Sequence, residues 1–172
     1  MARLDRLNPD SKHGHKWAVV ETPQGSSNKL RYRAKEDLFE VSASLPAGMA
    51  FPFDFGFVPG TRAADGDPLD VLVLMDSPAY PGVLVETRLL GVIEATQSDD
   101  DGQPYRNDRL IAIAVGSTER GDVRRLSDLD SHLVDQIEAF FGTYDRLLGK
   151  QFTAIGRRGP AKARRLLEQA RR

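Results

Sequence analysis

The sequence predicts a mainly β protein, a small closed barrel with additional strands and two C-terminal helices packed outside. Three observations carry this. Short apolar stretches punctuated by Gly, Pro, Asn and Asp fill residues 17–115, helical spacing starts only after Asp130, and the longest strand segment contains a glycine that permits a bend. Strands first and helices last argue against an alternating parallel-sheet protein. The elements follow in order. Residues 1–16 are polar and without periodicity, so they read as an N-terminal arm. Trp17–Glu21 reads as a strand. In Lys29–Ala34, Leu30 and Tyr32 alternate with Lys29, Arg31 and Arg33, and Leu38–Val41 can pair with that strand across Lys35–Asp37. Residues 45–60 are broken by Pro and Gly, but Phe51, Phe53, Phe55 and Phe57 recur at period two, so one side must be covered. Leu69–Met75 is a nearly continuous apolar strand interrupted by Asp70, which would face the barrel interior and need a partner. Val83–Ala95 is a long strand with Gly91 as bend or bulge, residues 99–104 a hairpin tip, and Arg109–Val115 a further strand.

The last third is helical. Leu133, Val134, Ile137, Phe140, Phe141, Tyr144, Leu147 and Leu148 share one face, with Asp130 or Ser131 as cap and Gly149 as stop. Gln151–Ile155 reads as a short strand. Pro160 opens a second helix with Ala163, Leu166, Leu167 and Ala170 on one side.

Composition excludes several classes. The chain has 172 residues, which suits one domain, here residues 17–172 after the arm. There is no Cys, so disulfides, thiolate metal sites, iron–sulfur clusters and thiol catalysis are out. With 24 bases against 25 acids the chain is nearly neutral, which argues against a dedicated nucleic-acid partner. No apolar run is long enough to cross a membrane, residues 1–16 lack the apolar core of a signal peptide, and a cytoplasmic location is expected. Charge is uneven: residues 146–172 carry a net +8, and residues 65–108 hold ten acids against Arg88 and Arg106. The acidic stretch is either a solvated face or a cation site, and the basic tail reads as a solvated helix face.

The densest chemistry is Asp65-Gly-Asp-Pro-Leu-Asp70, three carboxylates within six residues at a loop-to-strand junction. Hard cations such as Mg²⁺ take several oxygen ligands, and three clustered acids repel one another unless a cation or bases sit among them. A turn leading into a strand is the other reading. His13 and His15 lie in the arm and His132 in an exposed first helical turn. No phosphate loop, Gly-x-Ser-x-Gly or Gly-x-Gly-x-x-Gly motif is present.

The segment Asp65-Gly-Asp-Pro-Leu-Asp-Val-Leu-Val73 resembles the signature of the soluble family I inorganic pyrophosphatases. So do Val19-Val-Glu-Thr-Pro23 with Lys29, Met49-Ala-Phe-Pro-Phe-Asp-Phe-Gly-Phe57, Pro81-Gly82, Arg88, Gly91-Val92 and Phe140-Phe141-x-x-Tyr144. The resemblance spans about residues 17–155. It implies a five-stranded barrel of oligonucleotide-binding type, and hydrolysis of pyrophosphate by a metal-activated water with two or more Mg²⁺ ions. It also implies a homo-oligomer, often a hexamer in bacteria. Carried over residue by residue, Asp65, Asp67 and Asp70 hold metals, with Asp67 near the attacking water. Glu21 is a further metal-site acid, Lys29 and Tyr144 bind phosphate, and Arg109 stands where a phosphate-binding Lys is usual. Departures are Arg31 at an acid position, Ala43 at an Arg, Phe55 at a Tyr, Gln97 and Asn107 at metal-binding Asp positions, and Asp145 at a Lys. Arg31 restores the charge lost at Ala43 if the strands pair, and the Asn107 amide oxygen can still coordinate metal. Two alternatives stay open: a relative with altered or lost activity on another phosphoanhydride, and a non-enzymatic oligonucleotide-binding barrel.

Overall fold

The computed structural model describes residues 3–99 and 102–172. Its framework is β1 (Lys16–Thr22), β2 (Asn28–Arg33), β3 (Leu38–Ser44), β4 (Asp54–Phe57) and β5 (Asp70–Leu74). These are followed by β6 (Leu84–Asp99), β7 (Tyr105–Arg106), β8 (Arg109–Ala114), α1 (Ser131–Leu147), β9 (Lys150–Arg158) and α2 (Pro160–Gln169). Strands β1, β4, β5, β8 and β6 pair in that order, and β6 returns to β1, so five strands form a closed ring. All these pairings are antiparallel except β5–β8, which is parallel. The β2–β3 hairpin stands apart as a two-stranded sheet, while β7 and β9 extend β6 beyond the ring.

The long β6 serves four partners because it bends. A register shift between Leu89 and Gly91 marks the bulge expected at Gly91. A Cβ there would lie 2.2 Å from the Arg158 carbonyl oxygen, so only glycine lets β9 approach. Gly56 is as tightly placed, with the Val19 carbonyl oxygen 1.9 Å from where a Cβ would stand.

One apolar cluster fills the ring with Ala18, Val20, Val71, Val73, Val92 and Leu110, capped by Ala163 and Leu167 of α2. A second lies between the sheet and α1. Here Phe51, Phe53 and Phe55 meet Ile137, Phe141 and Tyr144, whereas Phe57 joins Tyr32 and Phe39 on another side. The four phenylalanines therefore divide between two clusters and do not share one covered face. The register shift between Val20 and Thr22, opposite Phe55–Phe57, breaks the alternation. The helix start matches its cap: Asp130 Oδ1 accepts from the His132 amide at 2.9 Å. Gly149 follows with φ +73°.

Several elements differ from expectation. The return strand runs to Arg158 and not Ile155, and β6 continues to Asp99. Residues 4–6 and 12–14 form 3₁₀ turns, and the Gly60 amide donates to the Asp5 carbonyl at 3.0 Å, tying this segment to the body. Residues 100 and 101 of the expected hairpin tip lie outside the described residues. Asp70 does not point into the ring interior. It is the first residue of β5, half-buried at the ring's mouth, because the apolar run that buries the strand begins one residue later.

Candidate active site

At the mouth of the ring lies a cleft of about 660 Å³. Strand ends set its walls: Glu21 from β1, Lys29 and Arg31 from β2, Asp70 from β5, Gln97 from β6 and Arg109 from β8. The loop before β5 adds Asp65 and Asp67, the turn before β8 adds Asn107, and the last turn of α1 adds Tyr144 and Asp145. Every site residue expected from the sequence therefore opens onto one cavity. The expected pairing of β2 with β3 is present, but Ala43 lies opposite Lys29 and Arg31 opposite Glu40, so Arg31 is two positions beyond the partner of Ala43.

The acid loop is held by its own backbone. Gly66 takes φ +92°, and Asp65 Oδ1 accepts from the Asp67 amide at 3.0 Å. Enclosure in the cleft, followed by the fields of Asp67 and Asp70, raises the Asp65 pKa above the ordinary carboxylate value. Asp67 is exposed and meets Arg31 Nη2 at 3.0 Å. Glu21 is buried. Its Oε1 accepts from the Tyr32 amide at 2.7 Å, and burial pushes its carboxyl up to about 7.

Opposite the loop stand the cations and the phenol. The Lys29 ammonium lies 4.9 Å from the ring centre of Phe55 and 5.4 Å from that of Tyr144. Burial lowers the Lys29 pKa, with Asp70 opposing. Burial raises the Tyr144 pKa, followed by the field of Asp145, which keeps its hydroxyl protonated as a donor.

Arg109 is almost fully buried. Its Nη1 donates to Asp70 Oδ2 at 2.5 Å and to Asn107 Oδ1, and its Nη2 reaches Gln97 Oε1 at 3.5 Å. Asn107 Nδ2 also donates to Gln97 Oε1. Asn107, expected at the metals, thus turns its oxygen to a guanidinium. Asp108 and Glu94 face away from the cleft: Asp108 binds Arg106 and the Ala95 amide, and Glu94 is ringed by Arg106, Arg158 and Lys162.

The donor set of the cleft is all oxygen apart from its bases, with no His or Cys among the lining residues. That chemistry fits a hard cation. The upward push on Asp65, from enclosure and then from the neighbouring carboxylates, marks negative charge short of compensation. Among the described residues no three acids or histidines converge closely enough to hold one ion by themselves. Water or substrate oxygens would have to complete any coordination shell. Sequence reasoning missed Tyr105 and Lys150, which also line the cleft. Lys150 opens β9 directly after the helix stop, and nothing in its neighbours along the chain signals a site.

Comparison with known proteins agrees. The family model for inorganic pyrophosphatase matches residues 18–172. The inorganic pyrophosphatase of Halalkalibacterium halodurans is 36% identical over 146 residues, covering 85% of this chain and 86% of that one. That of Geobacillus stearothermophilus is 33% identical over 153 residues, 88% of this chain and 89% of the other. The crystal structure of the Thermus thermophilus inorganic pyrophosphatase superposes with a TM-score of 0.87 at 31% identity, covering 98% of this chain and 97% of that one. The family match over nearly the whole ring, with the acid loop, its facing bases and the phenol in one cleft, leads to one conclusion: the chain belongs to the inorganic pyrophosphatase family.

Proposed function

We propose that the protein hydrolyses inorganic pyrophosphate to two orthophosphates with Mg²⁺. The observation that carries this reading is the single cleft that sets Asp65, Asp67, Asp70 and Glu21 against Lys29, Arg109 and Tyr144. Pyrophosphate near neutral pH bears three to four negative charges, so it needs both divalent cations and fixed bases around it. Asp65, Asp67, Glu21 and the Asp70 oxygen not taken by Arg109 are the residues that would hold two or more ions. Bound there, Mg²⁺ supplies charge neutralisation and lowers the pKa of water from about 15.7 towards neutrality.

The chain's own groups do the rest. Asp67, exposed at the centre of the loop, orients the attacking water and takes its proton. Water adds to one phosphorus, the bridging P–O bond breaks, and the second phosphate leaves with the bridging oxygen. Lys29 and the Tyr144 hydroxyl hold phosphate oxygens, and Arg109 places positive charge beneath them. Arg31 releases Asp67 and turns to the anion, since both partners of that pair are exposed and the pair is weak. No covalent nucleophile is needed.

The reading extends to a single domain over residues 17–172, a homo-oligomer, a hexamer by family analogy, and a cytoplasmic setting. No helix is long and apolar enough to cross a membrane. Exposed Leu38, Val41 and Tyr80 supply apolar surface for subunit contact. The test is phosphate release from pyrophosphate with Mg²⁺, run beside ATP and beside a chelated control. Turnover of pyrophosphate that stops with chelator is expected. Release from ATP but not pyrophosphate would replace this reading with that of another phosphoanhydride hydrolase.

A further inference from the structure

Three acceptor oxygens from separate elements converge on the guanidinium of Arg109: Asp70 Oδ2 at the start of β5, Asn107 Oδ1 before β8 and Gln97 Oε1 in β6. That is the arrangement a metal ion receives, and here a side chain of the protein fills it. The parallel register of β5 and β8 forces the meeting. Val71 is opposite Leu110, so the residues that precede them, Asp70 and Arg109, start adjacent strands side by side. The guanidinium carbon lies 5.2 Å from the Phe141 ring centre and 5.8 Å from that of Phe152, so it rests against an aromatic pair whose own ring centres are 5.7 Å apart. Asp145, 2% exposed, lines the same corner, and Arg109 is the foremost of the cations offsetting its charge. Its Oδ2 and the Arg109 Nε are both buried without hydrogen-bond partners.

We infer that Arg109 is a built-in cation that takes the place of a divalent ion at the Asp70–Asn107–Asp145 corner. The corner therefore binds no metal in the native protein, and removing the guanidinium creates one additional cation site. Two features separate this from a phosphate-binding role alone. Both hydrogens of Nη1 are already engaged by Asp70 and Asn107, so the edge of Arg109 that faces Asp70 has no donor left for an anion, which could reach only Nη2. And the amides of Gln97 and Asn107 form a shell that accepts a monovalent fork without adding negative charge. A divalent ion competing for Asp70 Oδ2 would have to displace a tethered group already desolvated there.

This inference rests on the reading that the acid loop binds divalent cations, and the experiment separates the two. Mn²⁺ bound per chain would be counted by electron paramagnetic resonance, with Mg²⁺ titration calorimetry in parallel, for the native protein, Arg109→Met and Asp145→Asn. We expect Arg109→Met to bind one more Mn²⁺ than the native protein. Its melting temperature should fall without metal and be raised by Mn²⁺ more than that of the native protein. Asp145→Asn in the native background should keep the native count and affinity, because Asp145 there faces an arginine and no ion. An unchanged count in Arg109→Met overturns the inference, and so does loss of an ion or a tenfold weaker affinity in Asp145→Asn. The second variant decides the matter even if the first does not fold. Absence of Mn²⁺ from the native protein with one ion in Arg109→Met would uphold the inference and remove the divalent-cation reading. Absence from both would overturn both.

Discussion

Glu21 and Glu94 are equally shielded from solvent, each 8% exposed, yet they sit in opposite surroundings. Glu94, on the outer side of β6, has Arg158 Nε at 3.0 Å, Arg106 Nη2 at 3.3 Å and Lys162 Nζ at 3.6 Å. Burial pushes its pKa up, but these cations together pull it below the usual glutamate value. Glu21 has one backbone amide and, among the described residues, no ion pair, and burial raises it to about 7. A covered acid with its cations in place is a finished piece of structure. A covered acid without them resists ionisation, and a cation brought from outside the chain would favour its charged form. Part of the basic charge of the C-terminal segment goes to ion pairs nearer the surface: Arg157 binds Asp135 and Glu138, and Arg171 binds Asp10.

The sharpest way to break this contrast is to neutralise an acid on the cleft side. Asp67→Asn should lower pyrophosphate turnover by about 10²–10⁴-fold, the range for removing one general base or its equivalent. Its stability without metal should stay within about 1 kcal/mol of native, since the Arg31 pair it loses is exposed. Near-native turnover at saturating Mg²⁺ would sink the role given to Asp67.

Next in size is Glu21→Gln. The folded carboxyl resists ionisation, with a pKa of about 7 against the ordinary 4.5, so it disfavours the native state as pH rises through that window. In chelator, the variant and native protein should unfold alike near pH 4.5. The variant should be more stable above pH 7 by up to about 3 kcal/mol, at 1.36 kcal/mol per unit. Urea melts at the two pH values would show it, and added Mg²⁺ should close the gap. A gap that does not change with pH would mean that Glu21 is not strained.

Glu94→Gln should do the reverse. Turnover should be unchanged, and stability at neutral pH should fall by about 1–3 kcal/mol as three cations lose their anion. Because the folded pKa of Glu94 is depressed, the loss holds above the ordinary glutamate value and disappears as pH falls below it. Arg158→Ala is the mildest test, at about 0.5–1 kcal/mol, because that arginine is more than half exposed and Arg106 and Lys162 remain. If a Glu94 variant lost turnover without losing stability, the two glutamates would have to be reassigned.

Much of the molecule can be read from local pattern. Period-two alternation marks β2, helical spacing and Asp130 mark α1, and Gly159-Pro160 marks the start of α2. Three acids around Gly66 and Pro68 mark the loop that faces the bases. These features depend on neighbours a few residues apart, which is why composition and spacing determine them. The residues of the resemblance likewise meet in one cleft because the ring brings strand ends together. Other features depend on separations that no window along the chain spans. Asp54, inside an aromatic stretch, is structural: its two oxygens accept from the Gln24 and Ala79 amides. Asp70 stands at the mouth because β5 starts there, and its partner is Arg109 because β5 and β8 run parallel in register. Asp145 faces that arginine only because the last turn of α1 ends against the same corner. The sequence by itself determined which residues are acids, bases and turns, and where strand gives way to helix. Tertiary structure alone decided which charge meets which, because Coulomb interaction follows distance in space and ring closure brings residues 39 positions apart to 2.5 Å.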